Sequence, residues 1–420
     1  MTKSTKARKA KPNWYPPWAP RFWSGMRMGD YWRLLRENRF QIHPSRYAMT
    51  CLIGGCSVVN STLGMIQNLT HGRRIERTEL AGPPVFIVGH WRSGTTLMHE
   101  LVALDQRFQF PSNFDAFIPN HFLVSRYLFY PIVSLLMPPR RPMDNMSMGA
   151  GSPQEDDFAL VSYGAPTPYR RIAFPNRQSR DHLDLNFANS TPATQTALRT
   201  AMERFLKSLT LRYQSQLILK SPPHTGRIRQ LLEWFPDAKF IHLSRHPYKL
   251  VPSTMRLWRL LDELQGHQVP SYDDTWLKNY IFECKDLMYA AYFEQRDEFA
   301  DNQLIEVRFE DLVANPVQEM SRVYGQLELG DFDQVQPSID NYFSKKKNHK
   351  KNELNLDLSL QTDIDSNWQP YMQAFGYESA GPAPTPNPTA LTKIIDTSET
   401  TDANPAGVFI PDPAGVDAND

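Results

Sequence analysis

Four short apolar runs, each leading into a segment with helical spacing, organise the middle of the chain. Residues 84–88, 216–219, 239–243 and 304–309 are short and mostly apolar. That is the pattern of strands buried on both faces. Apolar positions recur at helical spacing over residues 95–104, 225–234, 247–260 and 275–299. Residues 316–327 open with Pro316, which the first helical turn tolerates. Strands separated by helices predict an α/β fold, a parallel sheet flanked by helices. The stretch from about residue 108 to 192 is irregular and rich in proline. It reads as a partly helical insertion over the carboxyl ends of the strands, where such sheets take their ligands. An insertion there serves as a lid or an acceptor pocket.

Outside this block the pattern changes. Residues 1–20 are basic and then rich in Pro and Trp, which predicts a flexible arm; residues 21–378 read as one domain. Residues 379–420 are mostly Pro, Thr, Ala and Asp, with too few apolar side chains to offset the entropy of ordering, and are predicted disordered. Residues 50–69 and 128–137 are apolar, but the first is interrupted by Gly, Ser and Asn and the second is short and holds Pro131. Both are expected to be core or interfacial segments, with no helix long enough to span a bilayer.

Composition adds exclusions. Lys plus Arg is 46 and Asp plus Glu is 45, so the net charge of +1 gives no reason to expect nucleic acid as a partner. Cys51, Cys56 and Cys284 are odd in number and lack C-x-x-C spacing. They predict neither a disulfide framework nor a zinc site, and they fit a reducing, cytoplasmic compartment. The basic N-terminus lacks the apolar middle of a secretory leader. Trp14, Trp18, Trp23 and Trp32, with the apolar residues 122–137, leave peripheral membrane contact open.

The strongest local signal runs from Val85 through Gly89-His90-Trp91-Arg92-Ser93-Gly94-Thr95-Thr96. It reads strand, glycine loop, helix. Glycines let successive backbone N–H groups turn toward one anion, and the helix adds its positive end. The glycine spacing matches a nucleoside-triphosphate loop, but Thr95 stands where that loop keeps its lysine. The basic residue is Arg92, inside the loop. A second anion site is expected where Arg245 ends a strand and Ser253 follows about two helical turns later. Arginine offers a planar fork to phosphate oxygens and serine a hydroxyl.

Taken together, these segments resemble the sulfotransferases that use 3′-phosphoadenosine 5′-phosphosulfate (PAPS). Their 5′-phosphosulfate loop is similar to Trp91-Arg92-Ser93-Gly94-Thr95-Thr96, and their 3′-phosphate site to Arg245 and Ser253. Leu219-Lys220-Ser221-Pro222 and Val307-Arg308-Phe309-Glu310-Asp311-Leu312 also fit. The likeness is greatest to a bacterial branch that shares its loop and Lys-x-Pro segment with tyrosylprotein sulfotransferases. The resemblance implies a P-loop-like sheet, PAPS as donor and no metal. Two features depart from it. Phe309 stands where the family often has tyrosine, and no C-terminal glycine-rich adenine loop is evident. The lysines Lys345, Lys346, Lys347, Lys350 and Lys351 are an alternative phosphate clamp or a solvated basic run.

Sulfuryl transfer needs acceptor oxygen, sulfur and leaving oxygen in line, so positioning and charge stabilisation carry the rate. Arg92 is the first candidate to stabilise the leaving group, and Lys220 the second. By resemblance, the lysine matching Lys220 contacts the reacting group. For the base, Glu155-Asp156-Asp157 places three carboxylates together, and Glu155 is preferred. Asp115, His121 and His224 are the alternatives. An apolar insertion over the site suits an apolar or lipid-like acceptor. A P-loop kinase for a small metabolite and a non-catalytic, membrane-associated nucleotide-binding protein are the competing readings.

Overall fold

The structure is a computed structural model that describes residues 18–138, 149–177, 181–188, 190–346 and 356–379. Most of the expected arm, nearly all of the expected tail and the cluster residues Lys347, Lys350 and Lys351 lie outside the described residues.

Chain order begins with α1 (Met28–Glu37) and α2 (Tyr47–Arg77). Then come β1 (Val85–Val88), α3 (Thr95–Val102), β2 (Phe108–Gln109), α4 (Asn113–Phe117), α5 (Phe122–Leu136) and α6 (Asp156–Ser162). Helix α7 (Pro192–Tyr213) leads into β3 (Gln216–Lys220), α8 (Ile228–Trp234), β4 (Lys239–Ser244), α9 (Pro247–Gln265) and α10 (Asp274–Gln295). The chain continues through β5 (Leu304–Arg308), α11 (Phe309–Ala314), α12 (Pro316–Leu327), α13 (Gln336–Lys346), α14 (Leu358–Asn367) and α15 (Gln369–Ala374).

The five strands lie in the order β2-β3-β1-β4-β5, every pairing parallel. Strand alternation sends Val85 and Ile87 to one face, where they join Met98, Ile241 and Val323. Phe86 and Val88 point to the other, among Leu219, Phe240, Trp258 and Tyr289. Both faces are therefore covered, and the mostly apolar runs follow from that. Chain direction diverges at β1, with β3 on one side and β4 on the other, so the crevice at their carboxyl ends is a switch point.

Three details differ from the sequence expectations. The sheet gains β2, a two-residue edge strand inside the insertion. The helix expected over residues 225–234 begins at Ile228, because Pro222 and Pro223 start a 3-10 turn, Pro222–Gly226, that ends the strand first. The apolar stretch at residues 50–69 is unbroken helix within α2, and by length and composition Pro44–Arg77 is long and apolar enough to cross a membrane. The expectation that no such helix exists does not hold. Thr50, Asn60 and Gln67 lie on the buried side and bond to the body, and Ser57, Ser61 and Thr62 bond to carbonyls of their own helix, so they do not interrupt it.

Candidate active site

The loop after β1 folds around two glycines in left-handed conformation, Gly89 (φ 136°) and Gly94 (φ 108°). A Cβ on Gly89 would stand 2.4 Å from the Leu243 carbonyl oxygen, and one on Gly94 would stand 2.3 Å from Phe309 Cδ2. Both positions exclude larger residues by space as well as by backbone. Arg92 also has positive φ, 69°, a conformation non-glycine residues enter only when their surroundings hold them. Those surroundings are specific. Thr225 Oγ1 accepts from Gly89 N (2.7 Å), Thr254 Oγ1 donates to the Trp91 carbonyl (3.0 Å), and Ser93 N donates to the His90 carbonyl (3.1 Å). Burial pushes the His90 imidazole down to about 4, so it is neutral. Its Nδ1 faces the Trp91 carbonyl at 3.0 Å and carries the proton.

The two anion sites anticipated from sequence meet at Arg92. Its Nε donates to Ser253 Oγ (3.0 Å), and Arg245 Nη1 donates to its carbonyl (3.0 Å). Arg245 lies over the Phe309 ring at 4.4 Å. The phenylalanine that departs from the family pattern thus supplies a shelf for the guanidinium. Burial, and then the neighbouring Arg92, lower the Arg245 pKa, the signature of a cation partly stripped of water among like charge. Ser93 Oγ and Arg245 Nε are buried and have no hydrogen-bond partner. Two arginines and unsatisfied buried donors at a glycine loop are what a phosphorylated, sulfated nucleotide requires. The residues present fit PAPS.

On β3, the strand paired beside β1 with Lys220 in register with Ile87, and in the turn behind it, the three consecutive carboxylates each find a partner. Glu155 Oε1 accepts from Lys220 Nζ (2.6 Å). Asp156 accepts from Ser221 Oγ (2.9 Å) and faces His224 Nε2 (2.6 Å). Asp157 accepts from Arg227 Nη1 (3.2 Å). Burial alone would raise the Asp156 pKa, but the contacts with His224 and Ser221 outweigh it and hold the group below its usual value. For Asp157 burial wins over Arg227 and the shift is upward. Asp156 and Asp157 therefore fasten α6 to the sheet, and Glu155, at the helix N-cap, is left at the mouth.

Tyr169 connects these carboxylates to the loop. Its hydroxyl donates to Glu155 Oε2 and accepts from Trp91 Nε1 (2.9 Å). Burial, and then Glu155, raise its pKa well above the ordinary range, so it stays a donor. Tyr169 sits on a 3-10 turn, Pro168–Ala173, that is anchored by Arg171. The Arg171 guanidinium pairs with Asp262 of α9 (2.7 Å) and lies 4.6 Å from the Tyr280 ring and 4.9 Å from that of Trp258. Tyr169 and Arg171 were not visible in the sequence, because a 3-10 turn has no periodicity to betray it.

Two other base candidates serve locally. Asp115 caps its own helix, accepting from Ser112 Oγ (2.6 Å) and from Tyr213 (2.8 Å). His121 lies between Ser125 Oγ (2.7 Å) and Asn60 Oδ1 (2.9 Å), and burial lowers it to about 4. The C-terminal helices, also unanticipated, close the nucleotide side. Tyr371 Oη accepts from Arg245 N (3.0 Å), and Tyr377 Oη donates to Glu310 Oε2 (2.9 Å).

Comparison with known proteins agrees with this geometry. The sulfotransferase family model matches residues 83–334. The omega-hydroxy-beta-dihydromenaquinone-9 sulfotransferases Stf3 of Mycobacterium bovis and Mycobacterium tuberculosis are 38% identical over 372 residues, 87% of this chain and 94% of theirs. Among solved structures, sulfotransferase STF9 from Mycobacterium avium superposes with TM-score 0.60 at 17% identity, covering 85% of this chain and 98% of that one. STF1 from Mycobacterium tuberculosis gives 0.54 at 15% identity, over 76% and 88% of the two chains. The fold is that of the P-loop-like sulfotransferases. The chain belongs to the sulfotransferase family and is an enzyme, which sets aside the kinase and the non-catalytic readings.

Proposed function

We propose that this enzyme transfers a sulfuryl group from PAPS to a hydroxyl on an apolar, lipid-like acceptor. The observation that carries the reading is the meeting of Arg92, Arg245 and Ser253 at a glycine loop whose buried Ser93 hydroxyl lacks a partner. The donor supplies an activated sulfuryl group on a 5′-phosphate, which leaves as an anion. Arg92, Thr95, Thr96 and the loop amides face the charge that develops there. Arg245 and Ser253 hold the 3′-phosphate. Lys220 ends the strand beside β1, and the Glu155 carboxylate takes the proton of the attacking hydroxyl. The Tyr169 bridge holds that carboxylate in register with the loop, so acceptor oxygen, sulfur and leaving oxygen align.

The acceptor class rests on two supports. The Stf3 relatives act, by their name, on an omega-hydroxylated dihydromenaquinone, a hydroxyl at the end of an apolar chain. The insertion around Glu155 is itself apolar, with Phe114, Phe117, Phe158 and Val161 in one cluster. Unpaired cysteines fit a cytoplasmic location.

Calorimetry with 3′-phosphoadenosine 5′-phosphate, beside ATP–magnesium, tests the donor. Tight binding of the first, weakened in Arg245→Ala and unmatched by ATP, is expected. Preference for ATP would overturn the reading. A hydroxyl-terminated prenyl quinol, assayed against a short water-soluble alcohol, then tests the acceptor class.

A further inference from the structure

Helix α2 has its polarity reversed. The residues it buries against the body include Thr50, Ser57, Asn60, Gly64 and Gln67, which recur at helical spacing and are polar or small. Three of them, Thr50, Asn60 and Gln67, are bonded to the body. Thr50 Oγ1 meets His267 Nδ1 (3.0 Å), Asn60 Nδ2 donates to the Ser24 and Met26 carbonyls (2.6 and 3.0 Å), and Gln67 Oε1 accepts from Leu123 N (2.9 Å). Among Thr62, Asn68 and Thr70, the outward face carries a row of large apolar residues: Leu52, Val58, Val59, Met65, Ile66 and, at 82% exposure, Leu69. A helix of a water-soluble body shows the opposite arrangement.

Helix α5 repeats the feature. Its first turn crosses α2 between Asn60 and Gln67, and it leaves Tyr127, Leu128, Ile132 and Leu135 outward, at 96%, 66%, 44% and 85% exposure. Two apolar rows thus start from one crossing, an area that scattered surface leucines do not produce.

We propose that the outer faces of α2 and α5 seat the enzyme on a lipid bilayer, with α2 lying along the surface rather than crossing it. Three observations select a bilayer. Between Arg46 and Arg73 the helix carries no Asp, Glu, Lys or Arg, so a strip of about 39 Å is free of charge. Charge resumes at the end of the strip with the exposed Arg73, Arg74 and Arg77, where long basic side chains reach lipid headgroups. The hydrogen bonds from Thr50, Asn60 and Gln67 fix the opposite face to the body, so the helix stays in the plane of the surface. The seat also adjoins the site. The Tyr130 ring of α5 packs on Phe114 (5.5 Å) of α4, and α4 packs on α6, which Glu155 caps. An apolar acceptor dissolved in the bilayer would reach the carboxylate from this side. That last step rests on the acceptor class proposed above; the docking face does not.

Flotation of the full chain with vesicles of phosphatidylcholine and phosphatidylglycerol tests the face, with calorimetry against 3′-phosphoadenosine 5′-phosphate on the same samples. The wild type is expected to float, and the double variant Leu69→Glu/Leu135→Glu to lose the vesicle-bound fraction while still binding the nucleotide. A wild type that stays with the soluble fraction, or a double variant that floats equally well, overturns the proposal. So does a light-scattering mass showing a vesicle-free dimer that the double variant dissociates, which would assign the face to a second copy. A wild type that floats but does not bind the nucleotide strikes the donor reading and leaves the docking face standing.

Discussion

Lys220 Nζ and Glu155 Oε1 stand 2.6 Å apart across a separation of 65 residues, both buried where β3 ends and α6 begins. This charge-assisted bond joins the preferred base to the lysine expected at the reacting group, so the two act as a unit. Removing one partner leaves the other charge buried without its counter-ion, which costs about 3–5 kcal/mol. Lys220→Met and Glu155→Met should each destabilise by that order, and the double variant by less than their sum, with a coupling of about 0.5–3 kcal/mol. Urea unfolding of the four proteins measures it. Additive losses would mean the pair is not an energetic unit.

Chemistry separates Glu155 from its supporting partners. Glu155→Gln keeps the shape and an acceptor for Lys220 but cannot take a proton. Turnover is expected to fall by about 10²–10⁴-fold with nucleotide affinity unchanged. Turnover close to wild type would move the base role to His224.

Much of the donor side was legible in the sequence, because its physics is local. A glycine loop between a buried strand and a helix needs its residues in consecutive order, and Gly89 to Thr96 supply them. The β1 and β4 runs were visible because burial on both faces makes them mostly apolar, and the start of α12 was marked by Pro316. The acceptor side was legible only in part. Adjacency of three acids drew attention to Glu155, but their partners lie at Tyr169 and from Lys220 onward in sequence. Tyr169 acts from a 3-10 turn, and β2 is two residues long; neither leaves a periodic trace. Helix α2 was misread for a physical reason: polar residues were taken as breaks, whereas Thr50, Asn60 and Gln67 form its bonded inner stripe.

The 3′-phosphate assignment predicts selectivity. Arg245→Ala removes a charged hydrogen-bond donor worth about 1.5–3 kcal/mol, roughly tenfold to hundredfold in affinity. The loss should appear with 3′-phosphoadenosine 5′-phosphate and be small with adenosine 5′-phosphosulfate, which lacks the 3′ group. Ser253→Ala should show the same selectivity more weakly. Equal losses for both ligands in calorimetry would place Arg245 elsewhere in the site.

Gly94 tests the loop itself. Gly94→Ala places a Cβ 2.3 Å from Phe309 Cδ2 and also strains a φ of 108°. Nucleotide binding should be lost. Adding Phe309→Ala removes the clash but not the strain, so binding should return only in part. Full recovery would show that the clash alone dictates glycine; no recovery would assign the whole effect to the backbone.

His242 gives the last prediction, on acid stability. Its ring lies between Tyr292 (4.3 Å) and Phe375 (4.9 Å), and burial, followed by Arg296, lowers its pKa from 6.5 to about 3. In the folded state it is neutral through the mildly acidic range, whereas the unfolded chain protonates it near 6.5. The unfolded state therefore binds more protons, and stability falls as pH drops from about 6.5 toward 3, by about 1.4 kcal/mol per pH unit from this group. His242→Phe keeps the ring stack and removes the titration. Denaturant unfolding between pH 7 and pH 4 should show a shallower slope in the variant, by about 1.4 kcal/mol per unit, whatever its stability at neutral pH. Parallel slopes would mean that His242 is already protonated in the folded protein, and its place between two aromatic rings would then have to be read as a cation–π sandwich.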